Sequence, residues 1–341
     1  MATSTAYSPK EYTCWIIAET EAGTSALHAS NMYQLDIDSV AYPSLNVNQA
    51  LDVRSGIGRT LKDEDFFQDN VLRVTELSIS GTLHNDVGHK LLLRNVCQKT
   101  PDSADISVVT GYQPPNIKYG ASNTTSGDTL TIVVKALDPT VSASTVLSKN
   151  RNFIFTGCVC TNFSISSDMG TEGGRYKFSA TLQTGFKPNL NDTTAKNGIG
   201  SNAYANTTDT TLASTTGHEV LDTSVVMNSF TCTVDNPANF TGATANGFDV
   251  VNRGSEISVT VDTQIKLDEE TKGFVNTFDT QSAYNTTDSF VCANSANFGI
   301  NMENAVITNM AFSEGDIMML DCSLKAVDDG SEALVTFDTE S

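Results

Sequence analysis

The sequence predicts a mainly β protein made of two tandem β-sandwich or barrel domains, each with about four principal strands and one flanking α-helix. Three observations lead there. Only 18% of the 341 residues are charged, and Thr, Ser, Asn and Gly fill the shortfall, a mix that suits strands and turns and is poor for helices. Short runs of alternating apolar and polar residues recur along the chain, while long amphipathic stretches are scarce. A divergent repeat is also visible.

The repeat is clearest in a hairpin pattern. VCTNFSIS (159–166) aligns with VITNMAFS (306–313), so that Val159, Thr161, Phe163 and Ile165 are expected on one strand face, matched by Val306, Thr308, Met310 and Phe312. A Gly-containing turn follows, then a second alternating strand. In the first copy it carries Tyr176, Phe178, Ala180 and Leu182, and in the second Met318, Leu320, Cys322 and Leu324. The second turn is five residues shorter, as a free hairpin tip allows. Upstream, LRVTELSISGTL (72–83) precedes the helix pattern NDVGHKLLLRNVC, and ISVTVDTQIKL (257–267) precedes DEETKGFVNTF. The first of these strands changes parity between Val74 and Leu77, which places a bulge near Thr75 or Glu76. Acidic residues open both helix patterns, where the helix dipole favours them. Leu91, Leu92 and Val96, and in the second copy Phe274, Val275 and Phe278, are the residues expected to face a sheet. An earlier strand pair, 33–53 and 225–250, completes each copy.

These patterns divide the chain into a domain at 1–188, a polar linker at 189–219 rich in Asn and Thr, and a domain at 220–341. The copies differ in one place. SGIGRTLKDEDFFQDN (55–70) stands in the first where the second has only NRGSE (252–256). A loop of that length with adjacent Phe66 and Phe67 points to contact with a partner.

The net charge is −20 and is unevenly spread. Residues 1–190 carry 15 Lys+Arg against 18 Asp+Glu, and residues 191–341 carry 5 against 22. Such a chain repels polyanions, which excludes a protein that grips nucleic-acid phosphates but permits a surface that must not grip them. The polar start MATSTAYSPK lacks the apolar core of a signal peptide, and no run is long enough to span a bilayer. The seven cysteines sit within apolar patterns and read as buried free thiols made in a reducing cytoplasm.

Catalytic chemistry is missing from the sequence. His84, Asp86 and His89 look superficially metal-like, but their spacing crosses a strand-to-helix junction with no third ligand. Cys158 and Cys160 form CxC, not the CxxC of redox or zinc sites. No nucleophile elbow, phosphate loop, HExxH or dinucleotide fingerprint occurs. We therefore expect no enzyme activity and no cofactor.

Several stretches nonetheless resemble the major tail tube proteins of long-tailed bacteriophages, in versions whose tube domain is duplicated within one chain. They are WIIAETEAGTSA (15–26), ALDVRSGIGRTLKDEDFF (50–67), LRVTELSISGTLHNDVGHKLLLRNV (72–96) and CVCTNFSISSDMGTEGGRYKFSATL (158–182). The resemblance implies a structural virion protein of the tail, assembled in the host cytoplasm. Its two domains would close a pseudo-hexameric ring as a homotrimer. Such rings would stack into a tube that contacts other tail proteins and passes double-stranded DNA without binding it. A long loop would reach the next ring, which assigns Ile57, Arg59, Leu61, Phe66 and Phe67 to inter-ring contact. Strand parity then puts Thr260, Asp262 and Asp321 on the channel face of the second copy and Arg73, Arg175 and Lys177 on that of the first, so that the lining alternates in charge. A tandem β-sandwich adhesin, decoration protein or baseplate protein binding a host surface or another virion component is the alternative. Assembly into stacked rings distinguishes the two.

Overall fold

The computed structural model describes residues 12–24, 27, 31–41, 49–51, 66–68, 74–97, 106–108, 116–123, 128–136, 151–186, 188–192, 211–212, 217–244, 247–254, 256–279, 284–285, 289–292, 298–313 and 317–338. Within them the chain is mainly β, with two α-helices. The first half holds β1 (Tyr12–Ala18), β2 (Tyr33–Leu35), β3 (Ile37–Ala41), β4 (Gln49–Leu51), β5 (Phe66–Gln68) and β6 (Thr75–Thr82). There follow α1 (Val87–Cys97), β7 (Ile106–Val108), β8 (Ile117–Lys118), β9 (Leu130–Ala136), β10 (Arg151–Asp168), β11 (Lys177–Thr184) and β12 (Asn189–Asp192). The second half holds β13 (His218–Val220), β14 (Thr223–Ser224), β15 (Met227–Asp235), β16 (Asn239–Thr241), β17 (Val250–Asn252) and β18 (Ser258–Lys266). After these come α2 (Gly273–Asp279), β19 (Tyr284–Asn285), β20 (Phe290–Cys292), β21 (Gly299–Met302), β22 (Ala305–Ser313), β23 (Met319–Ala326) and β24 (Val335–Asp338).

Four central strands repeat in the two halves. Four strands pair in the order β3-β6-β11-β10 in the first and β15-β18-β23-β22 in the second. Register repeats with order: Gly81 faces Phe178 as Ile265 faces Leu320, and Ser166 faces Lys177 as Ser313 faces Met319. The irregularities repeat too. The ladder shifts between Ile37 and Ser39 and between Met227 and Ser229, then between Cys160 and Asn162 and between Ile307 and Asn309. Outer strands follow β2-β1-β9-β10 and β14-β13-β20-β21. The long strand β10 serves both layers of the first half, a task divided in the second between β21 and β22.

These ladders correct the expected strand faces. An extra residue at Thr161 and at Thr308 reverses parity, so Cys160 shares the core face with Phe163 and Ile165, while Val159 points into a separate cluster with Ala22, Tyr119 and Val251. No bulge occurs at Thr75 or Glu76, because β6 pairs with β11 without a shift from Thr75 to Thr82; the extra residue is Asp38, on the neighbouring strand. The polar segment expected as a linker opens with a strand, since β12 pairs with β10, and its Leu212 is buried.

The largest core cluster runs through both halves, from Cys14 to Phe337. All seven cysteines are free and buried, and burial pushes the thiols of Cys14, Cys160 and Cys232 up to about 12. They behave as small apolar residues, with almost no thiolate. Helix α1 starts at Asp86, whose Oδ1 accepts the His89 amide at 2.9 Å, and it buries Leu91, Leu92 and Val96. In α2, Phe274 is buried as expected, Val275 half-buried and Phe278 exposed. Neither described helix is long and apolar enough to cross a membrane.

Candidate functional site

Between the halves runs a seam in which β10, the last strand of the first four, pairs antiparallel with β15, the first strand of the second four, from Asn162–Asp235 to Asp168–Ser229. The joint is head to tail: unlike edges meet, and the same step leaves unlike edges at the two ends. On its core face Phe163 stands opposite Val234 and Ile165 opposite Cys232, all buried, and a buried polar cluster closes the Asn162–Asp235 end. Helix α1 ends against the seam, and the carbonyls of its last turn lack intrahelical donors. Asn236 Nδ2 donates to the Val96 carbonyl at 2.7 Å. Arg253 donates to the carbonyls of Asn95 and Cys160. Asn95 Oδ1 in turn accepts the Cys160 amide at 2.7 Å. Arg253 is 3% exposed, and burial pulls its guanidinium pKa down to about 10. The negative end of α1 is what it compensates.

One face of this joined sheet packs on the core; the other is carpeted with short polar side chains. Ser39, Ser80, Ser179, Ser164, Thr233, Thr260 and Lys325 stand side by side across the strands from β3 to β23. Adjacent rows hold Lys177, Ser166, Thr231, Asp262 and Ser323, then Asp168, Ser229, Gln264 and Asp321. The lysines of this face lie near carboxylates: Lys177 is 3.0 Å from Asp38, Lys325 3.8 Å from Glu256 and Lys266 3.9 Å from Asp268. Several carboxylates have neutral donors instead. Asp262 accepts from Ser323 at 2.6 Å, Asp321 from Gln264 at 2.8 Å and Glu76 from Gln183 at 3.1 Å.

Of the residues expected to line a channel, Lys177, Thr260, Asp262 and Asp321 all lie on this face. Arg175 sits just before β11, bridged to Thr211, beside a cleft of about 310 Å³ that it lines with Asp168, Lys177, Phe230 and Thr231. Arg73 lies outside the described residues. So do Ile57, Arg59 and Leu61 of the expected contact loop. Phe66 and Phe67 belong to β5, which pairs with β4; their side chains lie outside the described residues. That hairpin corresponds to β16–β17, which pairs in the same register. The length difference between the halves therefore falls at the hairpin tip, residues 52–65 against 242–249, and not opposite NRGSE as the sequence alignment had it.

The two end edges are unlike. β3 pairs with β6 on one side and with no described strand on the other. β22 pairs with β23, and on its far side β19 reaches only Ala305 and Val306. Burial of equivalent residues shows what β22 lacks. Ile165, covered by the second half, is 0% exposed, and its equivalent Phe312 is 54% exposed; Tyr176 is 0% exposed, and its equivalent Met318 is 54% exposed.

Two pairs of acidic and imidazole groups lie near α1, with His84 Nε2 2.8 Å from Asp36 and His89 Nδ1 2.7 Å from Asp86. No group of three metal-ligating side chains occurs among the described residues. Apart from the scarcity of basic residues in the second half, no sequence signal marks the Arg253 joint. No family model and no curated protein matches the chain.

Proposed function

We propose that the chain is a non-enzymatic structural subunit that joins copies of itself head to tail into a ring, with three copies per ring, and that such rings form the phage tail tube through which DNA leaves the virion. The observation that carries the reading is the seam. A chain that contains one head-to-tail step between equivalent units presents, at its ends, the edges for the next step. β22 would take β3 of another copy as β10 takes β15. Covering Phe312, Met310 and Met318 would contribute roughly 1.5–3 kcal/mol for each side chain fully buried. Closure would also remove two edges that otherwise invite aggregation. The polar face would then line the channel. Lysines already beside carboxylates offer DNA phosphates little counterion release, and the remaining carboxylates repel them.

The pair Ser166–Thr231 at the seam has as its equivalents Ser313 and Ala41. Chains carrying both Ser313→Cys and Ala41→Cys should cross-link under mild oxidation into dimers and trimers and no larger species, and negative-stain images should show rings. Purified protein that stays monomeric with no cross-link overturns the proposal. A small soluble oligomer without rings favours the adhesin or decoration reading.

A further inference from the structure

Near one end of the seam the polar face is indented. The cleft of about 310 Å³ found there is lined by Ser166 and Asp168 of β10, by Ser229 and Thr231 of β15, and by Arg175 and Lys177 at the start of β11. The buried Phe230, its ring 5.2 Å from that of Tyr176, lines it as well. Two of the charged groups are engaged within the fold. Asp168 accepts the Gly170 amide at 2.7 Å and the Thr171 hydroxyl at 3.3 Å. The Lys177 ammonium reaches away from the seam, to Asp38 at 3.0 Å and Thr82 at 3.2 Å, which leaves its methylene stem beside the cleft. The donors along the cleft are then the Arg175 guanidinium and the hydroxyls of Ser166, Ser229 and Thr231, with Ser166 and Thr231 directly opposite each other across the seam.

The repeat supplies an internal comparison. By register, Ser313 and Ser39 hold the places of Ser166 and Ser229, but Ile317, Met319 and Ala41 hold those of Arg175, Lys177 and Thr231. The serines therefore belong to the framework common to both halves, whereas both cations and the third hydroxyl occur at the internal seam alone. In a chain of net charge −20, cations set where the fold itself requires none point to a ligand. We propose that this cleft binds one phosphate group, carried by a small phosphomonoester. A guanidinium fork takes two oxygens of a tetrahedral oxyanion, and hydroxyls on adjacent strands donate to the others. The volume equals that of about ten waters, room for a phosphate together with the sugar that carries it. Asp38, Asp168 and Asp262 stand around the site and repel a polyanion, so it admits a single phosphate and not a nucleic-acid backbone. The cleft lies within one chain and binding there does not depend on ring formation. In the proposed ring it would recur once per copy, and a bound phosphate would occupy Arg175 against the phosphates of passing DNA.

The test is calorimetric titration of the full chain with ribose 5-phosphate, with ribose and inorganic phosphate in parallel. Ribose 5-phosphate should bind saturably, inorganic phosphate should compete with it, and ribose should not bind. Arg175→Ile and Thr231→Ala install the residue types that the fold already carries at Ile317 and Ala41, so folding should survive. The first should weaken binding roughly 10- to 100-fold and the second about 3- to 10-fold. Lys272→Met removes an exposed charge far along the chain and should leave the affinity unchanged. Absence of saturable binding overturns the proposal, as do equal affinities for ribose and ribose 5-phosphate, or an Arg175→Ile variant that binds as the wild type does. Competition by duplex DNA with unphosphorylated ends would overturn it too, by making a backbone phosphate the ligand.

Discussion

Removing the Arg253 side chain should separate the two halves energetically before either unfolds. Two opposing terms set the size of the effect. The guanidinium donates to two buried carbonyls, and hydrogen bonds from a charged group contribute about 1.5–3 kcal/mol each. Against this, burial lowers the Arg253 pKa to about 10, which corresponds to a cost on the order of 3 kcal/mol for keeping the charge inside. Taken alone, the two nearly balance. Truncation does not simply reverse both, however, because it takes a charged donor from the buried carbonyls of Asn95 and Cys160, at about 1–3 kcal/mol each. Arg253→Ala should therefore destabilise by about 3 kcal/mol. Arg253→Met keeps the apolar stem and sheds the charge, so it should cost about 2 kcal/mol. Urea unfolding measures this with two probes. Fluorescence reports the first half, since Trp15 is the one tryptophan, and far-UV circular dichroism reports both. In the wild type the two transitions should coincide; in Arg253→Ala they should fall at lower urea and separate. An Ala variant with an unchanged midpoint and coincident probes would refute the latch.

Three further outcomes are expected. Glu19 is buried and accepts from Gly23 N at 2.7 Å, Gly157 N at 2.9 Å and the hydroxyls of Thr129 and Thr131; Glu19→Gln swaps an acceptor for a donor facing these donors and should cost about 2–4 kcal/mol in denaturant unfolding. The hydrogen bond from His84 holds the Asp36 carboxyl below its usual 3.8, so its contribution is present above that value and lost as pH falls through the folded pKa; the melting temperature should drop below about pH 4, and less steeply in Asp36→Asn. If the proposed tube forms, replacing Asp262 and Asp321 together by Lys should leave its assembly intact and slow DNA ejection through it, most at low salt; unchanged ejection would argue against the proposed channel face.

The hairpin pair was legible because Phe163, Ile165 and Phe178 and their equivalents alternate strongly enough to align by eye. The bulges at Thr161 and Thr308 were not, for a simple reason. Both copies carry the extra residue at the same place, so the alignment looks perfect whether or not parity reverses there, and only the ladder to β11 or β23 reveals it. The hairpin tip was misaligned because Phe66–Gln68 and Val250–Asn252 share pairing but no residue type. Arg253 was invisible for a related reason: its closest partners are the backbone carbonyls of Asn95 and Cys160, which leave no trace in side-chain chemistry. The polar face was readable from strand parity, since Ser, Thr and Asp alternate with buried Val and Ile along β18.

What the repeat adds is a constraint on how copies can meet. A two-fold dimer would bring like edges together, β3 to β3 or β22 to β22. The seam instead pairs a last strand with a first, and β3 and β22 differ: β22 presents Phe312 exposed, while β3 is short and carries Ser39 and Ala41 outward. A head-to-tail step repeated without closure makes a fibre, and a long exposed β edge is a hazard in any cell. The acidity of the chain opposes that outcome at a distance, because approaching copies at −20 each repel beyond about a Debye length, roughly 8 Å at physiological salt. Association should therefore be slow until edges meet in register, and it should quicken as salt is raised.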